Sequence, residues 1–299
     1  MKMKGYLYAF ITVILWSGWA IVTRLGVKSD LTPMDITFLR FGTAGFLMLP
    51  IAYKNRQLIT RKNIWLLLVM IIGAGPPYLL ICSLGFASAP ATHSVIIPCT
   101  MSLFVAVICY SFFKDKISAV SGFGYMAILC GVAFKLSLSE YIFADLYFIG
   151  GGLLFAIFTI FSRKTGFAPL VTTAFVSSGS MLLLVVPYMI YQIYNPHEMN
   201  IGASIFQIVY QGIITSIISL LTYNLAVKYI GTTSTSAFAA LVPVMVTIGA
   251  IPILGEIPNQ DDIIFVCLMT IGVLLASGIC NKLFHRNQYL ITHYGTEAN

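Results

Sequence analysis

Polar residues in this 299-residue chain fall in clusters, and between the clusters lie apolar stretches of about twenty residues, the length that carries a helix across a bilayer core. The pattern predicts helical spans over residues 5–24, 34–53, 63–86, 90–113, 117–136, 145–163, 169–194, 203–229, 231–254 and 260–283. Ten such helices with short connections leave no room for a soluble domain. Within the third span the stretch IIGAGPPYLLICS places Gly73, Gly75, Pro76 and Pro77 near the centre. Proline removes a helical hydrogen bond and clashes with the preceding turn, so a kinked, widened wall is expected there.

Composition agrees with that pattern. Hydrophobic residues make up 59% of the chain and charged residues 9%, far below the roughly one quarter of a soluble domain. The formal charge of +7 suits a protein lying against anionic lipid, and it calls for no nucleic-acid partner. With the N-terminus placed in the cytoplasm, the inner segments collect Lys2, Lys4, Lys54, Arg56, Arg61, Lys62, Lys114, Lys116, Arg163, Lys164, Lys228, Lys282 and Arg286. Only Arg24, Lys28, Arg40 and Lys135 remain for the outer half, so both termini are expected inside. The N-terminal MKMKGYLYAFITVILW has no small-residue cleavage site after it and reads as the first helix. The six cysteines lie within predicted spans, without CxxC spacing, and suggest neither a disulfide framework nor a metal site. No cofactor is implied.

The chain repeats itself. Residues 83–118 align with residues 224–259, so that Leu84 meets Leu225, Thr92 meets Thr233 and Asp115 meets Glu256. A nearly equal shift lays ILWSGWAIVTR on LLFAIFTIFSR: Trp16 and Trp19 meet Phe155 and Phe158, and Arg24 meets Arg163. Each copy holds five spans, and an odd number makes the second copy enter the membrane from the opposite side. Inverted repeats of this kind build transporters with a substrate site near the midplane. The expected fold is therefore an all-α integral membrane protein of ten helices, arranged as two inverted five-helix repeats around a central cavity: residues 1–140, residues 141–285, and a cytoplasmic tail over 286–299.

Over nearly its whole length the sequence resembles the EamA type of the drug/metabolite transporter superfamily. The resemblance rests on the tryptophan-containing first span (ILWSGWAIVTR), the arginine early in the second (ITFLRFGTAGFL) and the twice-repeated block, whose second copy keeps Pro243, Gly255 and Glu256. The first copy departs from the pattern: Ser102 stands in place of the proline, and Asp115 in place of the glutamate. The resemblance implies a carrier of small organic solutes, often amino acids or related metabolites, commonly exporting them across a bacterial inner membrane.

Candidate site residues follow from the repeat. Trp16 and Trp19 lie three apart, on one helical face, too deep for the interfacial belt that membrane tryptophans favour. With Phe155 and Phe158 they are expected to line a shared cavity from opposite walls, the alternative being a lipid-facing pair. Tyr78 offers a phenol beside the kink, or packs with its hydroxyl bonded to a neighbouring helix. In the eighth span, SLLTYNLA supplies Ser219, Thr222, Tyr223 and Asn224; an amide in a bilayer either bonds across helices or faces a wet cavity. His93, the histidine expected within a span, can relay a proton as a coupling ion or simply meet interfacial water. Arg40 must snorkel outward, pair with Asp35 or Asp30, or face the cavity, and structural pairing is the expectation. Arg24 and Lys135 are expected to snorkel at span ends, and Glu256 and Asp115 to cap or anchor.

Other classes find no support. No glycine cluster is followed by the GK[ST] of a nucleotide-binding loop, and no HExxH or GxSxG marks an intramembrane enzyme. The sequence thus reads as a secondary carrier of a small-molecule substrate, an amino acid or an amino-acid- or nucleoside-like derivative. Efflux or exchange is the leading direction, with uptake of scavenged metabolites as the alternative.

Overall fold

The computed structural model of the protein describes residues 2–114, 117–230, 235 and 238–278, with all side chains in these ranges except those of Phe113, Arg163 and Asn224. Among the described residues every regular element is helical. The first half contains α1 (Lys2–Lys28), α2 (Pro33–Lys54), α3 (Ile64–Ala74), α4 (Pro76–Ser88), α5 (Ile96–Ile108) and α6 (Ala119–Leu138). The second contains α7 (Ile142–Thr165), α8 (Pro169–Tyr194), α9 (Ile201–Gln207), α10 (Ser219–Ile230), α11 (Val242–Leu254) and α12 (Gln260–Ala276).

Local sequence sets the helix ends. Asp30 takes a left-handed conformation (φ 65°) and turns the chain out of α1. Thr32 then caps α2 reciprocally with Asp35, and Pro33 starts the helix where its missing N–H costs nothing. Asn259 and Asp262 form the same reciprocal cap on α12. Such caps matter in a bilayer, where an unsatisfied backbone group finds no water.

The proline pair does more than kink the third span. The helix breaks at Gly75, ending α3 at Ala74 and restarting with Pro76 as α4. Gly73 lets α3 press onto α7: a Cβ there would lie 2.7 Å from the Leu154 carbonyl oxygen. In the second half the corresponding span is irregular too. Between α9 and α10 the chain winds as a π-helix over Ile208–Ile218, a geometry that is rare and concentrates at functional sites.

Among the described residues, eight helical segments are long and apolar enough to cross a membrane: Lys2–Lys28, Pro33–Lys54, Ile64–Ser88, Ala91–Phe112, Ala119–Leu138, Ile142–Ser162, Pro169–Tyr194 and Ile201–Ile230. Where the sequence predicts a ninth and a tenth span, the described helices are shorter: Ala239–Leu254 and the 17-residue α12. Parts of both predicted spans, and the whole of the expected 286–299 tail, lie outside the described residues.

Packing follows the repeat. The second helices of the two halves, α2 and α8, lie against each other, as do the last helices, α6 and α12. The first helix of each half crosses to the other half: α1 packs on α10 and α11, and α7 packs on α3, α4 and α5. Exchanging the halves therefore leaves the contact scheme unchanged. Phe86, Phe148 and Phe265 are fully buried where the halves meet, whereas Phe46, Leu182 and Ile193 turn outward, as a lipid-facing surface requires.

Two basic residues expected to snorkel at span ends are paired instead. Lys135 is buried between α6 and α12, bonded to Asp262 and over the Phe265 ring. Arg24 holds Glu256, which was expected only to cap or anchor, through an Nε–Oε1 contact of 2.8 Å. A sequence pattern shows that a charge sits near a span end, but a partner more than a hundred residues away becomes visible only when the halves meet.

Candidate functional site

A cavity of about 410 Å³ lies between the halves. Aromatic side chains form much of its wall. Trp19 stacks on Tyr78 (ring centroids 6.1 Å apart), Tyr78 meets Phe155 at 5.2 Å, and Phe155 meets Phe158 at 5.3 Å. Trp16 stacks on Tyr223 at 5.4 Å, placing that tyrosine behind the wall rather than in it. Positions equivalent in the repeat face one space: Trp16 with Phe155, Trp19 with Phe158, and Tyr78 with Ser219, all lining residues. The break at Gly75 and the π-helix lie at matching positions, and Ala74, Thr215 and Ser216 bring both irregular stretches to the cavity. This is how transporter folds expose backbone and small polar groups to a solute.

Arg40 also lines this cavity. It is paired with neither Asp35 nor Asp30, the two acids expected to answer it. Asp35 is fully engaged: Oδ1 accepts from the Tyr188 hydroxyl at 2.8 Å and from Gln192, and Oδ2 accepts from the Thr32 backbone and hydroxyl and lies 2.8 Å from His197 Nε2. Arg40 Nη1 instead donates to Gln211 Oε1 at 3.2 Å, and the Gln211 amide is oriented by donating Nε2 to Thr23 Oγ1 at 2.8 Å. Among the described residues no carboxylate comes within ion-pair distance of Arg40.

His93 lies elsewhere. It is buried, 3% exposed, with Nδ1 2.6 Å from Asp145 Oδ1 and its ring edge-on to Tyr141. The interfacial water expected beside it is replaced by protein, because Asp145 near the start of α7 packs directly over it. The Asn224 side chain, expected either to bond across helices or to face the cavity, lies outside the described residues. Thr222, from the same stretch, bonds across helices to Thr12 at 2.9 Å.

The cavity has one tied end. Where α1 finishes and α2 begins, Glu256 binds Arg24, approaches Lys28 at 3.4 Å and accepts from the Ala91 backbone N–H at 2.7 Å. Arg24 also donates to the Phe86 carbonyl at the end of α4. One carboxylate thus ties α1, α4, the Ala91–Val95 turn and the end of α11. Towards the opposite end the lining continues through Tyr125, Thr173 and Ser277.

Several of these residues escaped the sequence reading. The hydroxyls of Thr173, Ser177, Thr215 and Ser216 look the same in sequence whether they pack helices or meet a solute. Gln207 and Gln211 carried a usable signal: two amides four apart in an apolar run, both now buried in the interior.

His197, in the α8–α9 connection, gains partners that outweigh the small cost of its burial. The Asn195 carbonyl and then Asp35 hold its pKa above the ordinary histidine value. Its contribution to stability is therefore complete below the unfolded pKa and is lost as pH rises through the folded one. The thermal midpoint is expected to fall across that window, and His197→Asn should flatten the fall; an unchanged profile would remove this link.

The family model comparison is decisive for class. Residues 3–137 and 142–278 each match the EamA-like transporter family, so the chain belongs to that family, within the drug/metabolite transporter superfamily, and is a multi-pass membrane protein. An uncharacterized transporter of Archaeoglobus fulgidus is 24% identical over 288 residues, covering 93% of this chain and 98% of the relative. Another, from Clostridium kluyveri, is 22% identical, covering 91% and 92%. A solved crystal structure with 18% identity superposes with a TM-score of 0.65 over 91% of this chain and 96% of that one, a likeness of fold.

Proposed function

We propose that the chain is a secondary carrier that moves a small organic metabolite by alternating access, with ten spans in two inverted repeats (residues 1–140 and 141–285) and both termini cytoplasmic in a bacterial inner membrane. The observation that carries this reading is the cavity itself. It is lined by matching positions of both repeats and tied at one end by Glu256, while its lining runs on towards the other. On the positive-inside assignment the tied end is the outer one, so the form described here faces the cytoplasm. Two half-bundles related by a pseudo-two-fold axis have two equivalent ways to rock, which is what alternating access needs.

A cavity of this size and aromatic content suits a solute as large as an amino acid with a planar side chain, or a nucleoside-like derivative. Efflux or exchange is the favoured direction, and no catalytic role is assigned. The test is a thermal-shift screen of purified protein against amino acids, nucleosides and their derivatives, followed by exchange in liposomes. A ligand that stabilises the protein and is exchanged supports the reading; a stabilising ligand that never crosses would make it a binding protein.

The aromatic wall gives a sharper expectation. Trp19→Leu and Phe158→Leu, in opposite repeats, should each weaken ligand binding by about 1 to 3 kcal/mol through lost stacking. Trp65, which is exposed and packs edge-on against Phe161, should report no ligand-induced fluorescence change. Variants that bind normally and lose only thermal stability would return the pair to packing.

A further inference from the structure

We infer that the Arg40 side of the cavity recognises a carboxylate, and that the preferred solute is an anion with an aromatic or apolar body rather than a zwitterion or a cation. The inference rests on the carrier reading of this cavity and, among the solutes that reading admits, selects an anionic derivative over the free zwitterionic amino acid.

A guanidinium in a membrane interior is stable only when something answers its charge. Asp35, the nearest acid on the same helix, has both oxygens committed to Tyr188, Gln192, Thr32 and His197. The neutral Gln211 amide takes one donor of Arg40, and the Phe41 ring lies 5.6 Å from the guanidinium carbon. Arg40 Nε is buried with no hydrogen-bond partner. Two more polar atoms from cavity-lining residues share that condition: Trp19 Nε1 and Thr215 Oγ1. Unsatisfied buried polar atoms are costly enough to ask for a cause. Arg40 Nε and Trp19 Nε1 can only donate, and the Thr215 hydroxyl can donate as well as accept, so an acceptor group is the partner that can satisfy all three.

The rest of the lining offers no counterpart for a positive charge. Among the described residues no aspartate or glutamate lines the cavity, and besides Arg40 its polar side-chain groups are the Trp16 and Trp19 indoles and serine, threonine and tyrosine hydroxyls. An ammonium group would enter without a carboxylate to meet it, whereas a carboxylate meets a planar fork of donors suited to bidentate binding. The repeat also makes the site one-sided. Counted from the proline that begins each helix, Arg40 in α2 occupies the step that Val176 occupies in α8. Val176 lines the same cavity. The α2 wall thus carries the charge, and the matching step of the α8 wall, between Thr173 and Ser177, carries none, which orients a solute having one anionic end.

The experiment compares 3-phenylpropanoate, 3-phenylpropanamide, phenylalanine and 2-phenylethylamine on the purified full chain, by thermal shift and tryptophan fluorescence, with sodium chloride as the ion control. The carboxylate is expected to bind about tenfold or more tightly than the amide, as charge-assisted recognition commonly gives, with the zwitterion weaker and the amine weakest. Arg40→Gln should abolish the difference between carboxylate and amide. Trp19→Phe keeps the ring, removes the N–H and should weaken the carboxylate selectively, giving a reading even where Arg40→Gln fails to fold. Equal binding of carboxylate and amide, preference for the amine, no binding by any of the four, or stabilisation by chloride as strong as by the carboxylate would each overturn the proposal. If another solute is then transported, the carrier reading survives; if the carboxylate binds but never exchanges, that reading fails and this one stands.

Discussion

Replacing Lys135 with methionine is expected to cost the fold about 3 to 5 kcal/mol, the usual loss when one partner of a buried ion pair is removed. Lys135 is 5% exposed and its partner Asp262 is 8% exposed, in the contact between the last helices of the two halves. The aspartate also caps α12, with Asn259 N donating to Oδ2 at 3.1 Å. Once Lys135 is gone, a carboxylate needed for the cap is left uncompensated among apolar neighbours. The double variant Lys135→Met/Asp262→Asn removes both charges and keeps an oxygen for the cap, so it should recover more than half of the loss. Thermal midpoints in detergent separate the cases. If the single variant is as stable as the parent, the pair contributes nothing and α6 and α12 are held by packing alone.

The second large effect is expected at Glu256. Its carboxylate draws together α1, α4, the turn at Ala91 and the end of α11, with the Arg24 and Glu256 side chains 14% and 12% exposed. Glu256→Gln keeps the shape and removes the charge. With Arg24 left to the carbonyls of α4 alone, the tied form should lose about 2 kcal/mol relative to the alternative orientation, since breaking a shielded pair costs at least that much. A shift of this size changes a two-state ratio roughly thirtyfold. The folded core should be little affected, because the latch lies at one end of the bundle and meets Phe86 through its backbone carbonyl.

Hydropathy made the multi-pass helical character legible, and self-similarity made the two halves legible, because both are properties of long stretches. The aromatic pair was legible for the same reason: Trp16 and Trp19 recur as Phe155 and Phe158, and a repeat that closes on itself must bring equivalent faces together. The partners of the charged side chains were not. Arg40 lies five residues from Asp35 and was expected to pair with it or with Asp30, yet Asp35 is claimed by Tyr188 and His197 from the other half. Asp145 near the start of α7 likewise determines where His93 points, and nothing near His93 in sequence announces it. The π-helical winding of Ile208–Ile218 has no clear sequence pattern of its own beyond Gln207 and Gln211, and amides in a span are compatible with packing as well as with a cavity.

The most direct test of alternating access needs no substrate. A single cysteine at Ser216, a cavity-lining position, in a chain whose six native cysteines have been replaced, is treated with a membrane-impermeant thiol reagent from each side of oriented vesicles. The account predicts that the parent reacts from the side bearing the N-terminus, and that Glu256→Gln gains reaction from the side bearing Lys28. Equal reaction from both sides with Glu256 intact would describe a pore, and no reaction from either side whatever stands at position 256 would describe a packed interior; either result would contradict a carrier.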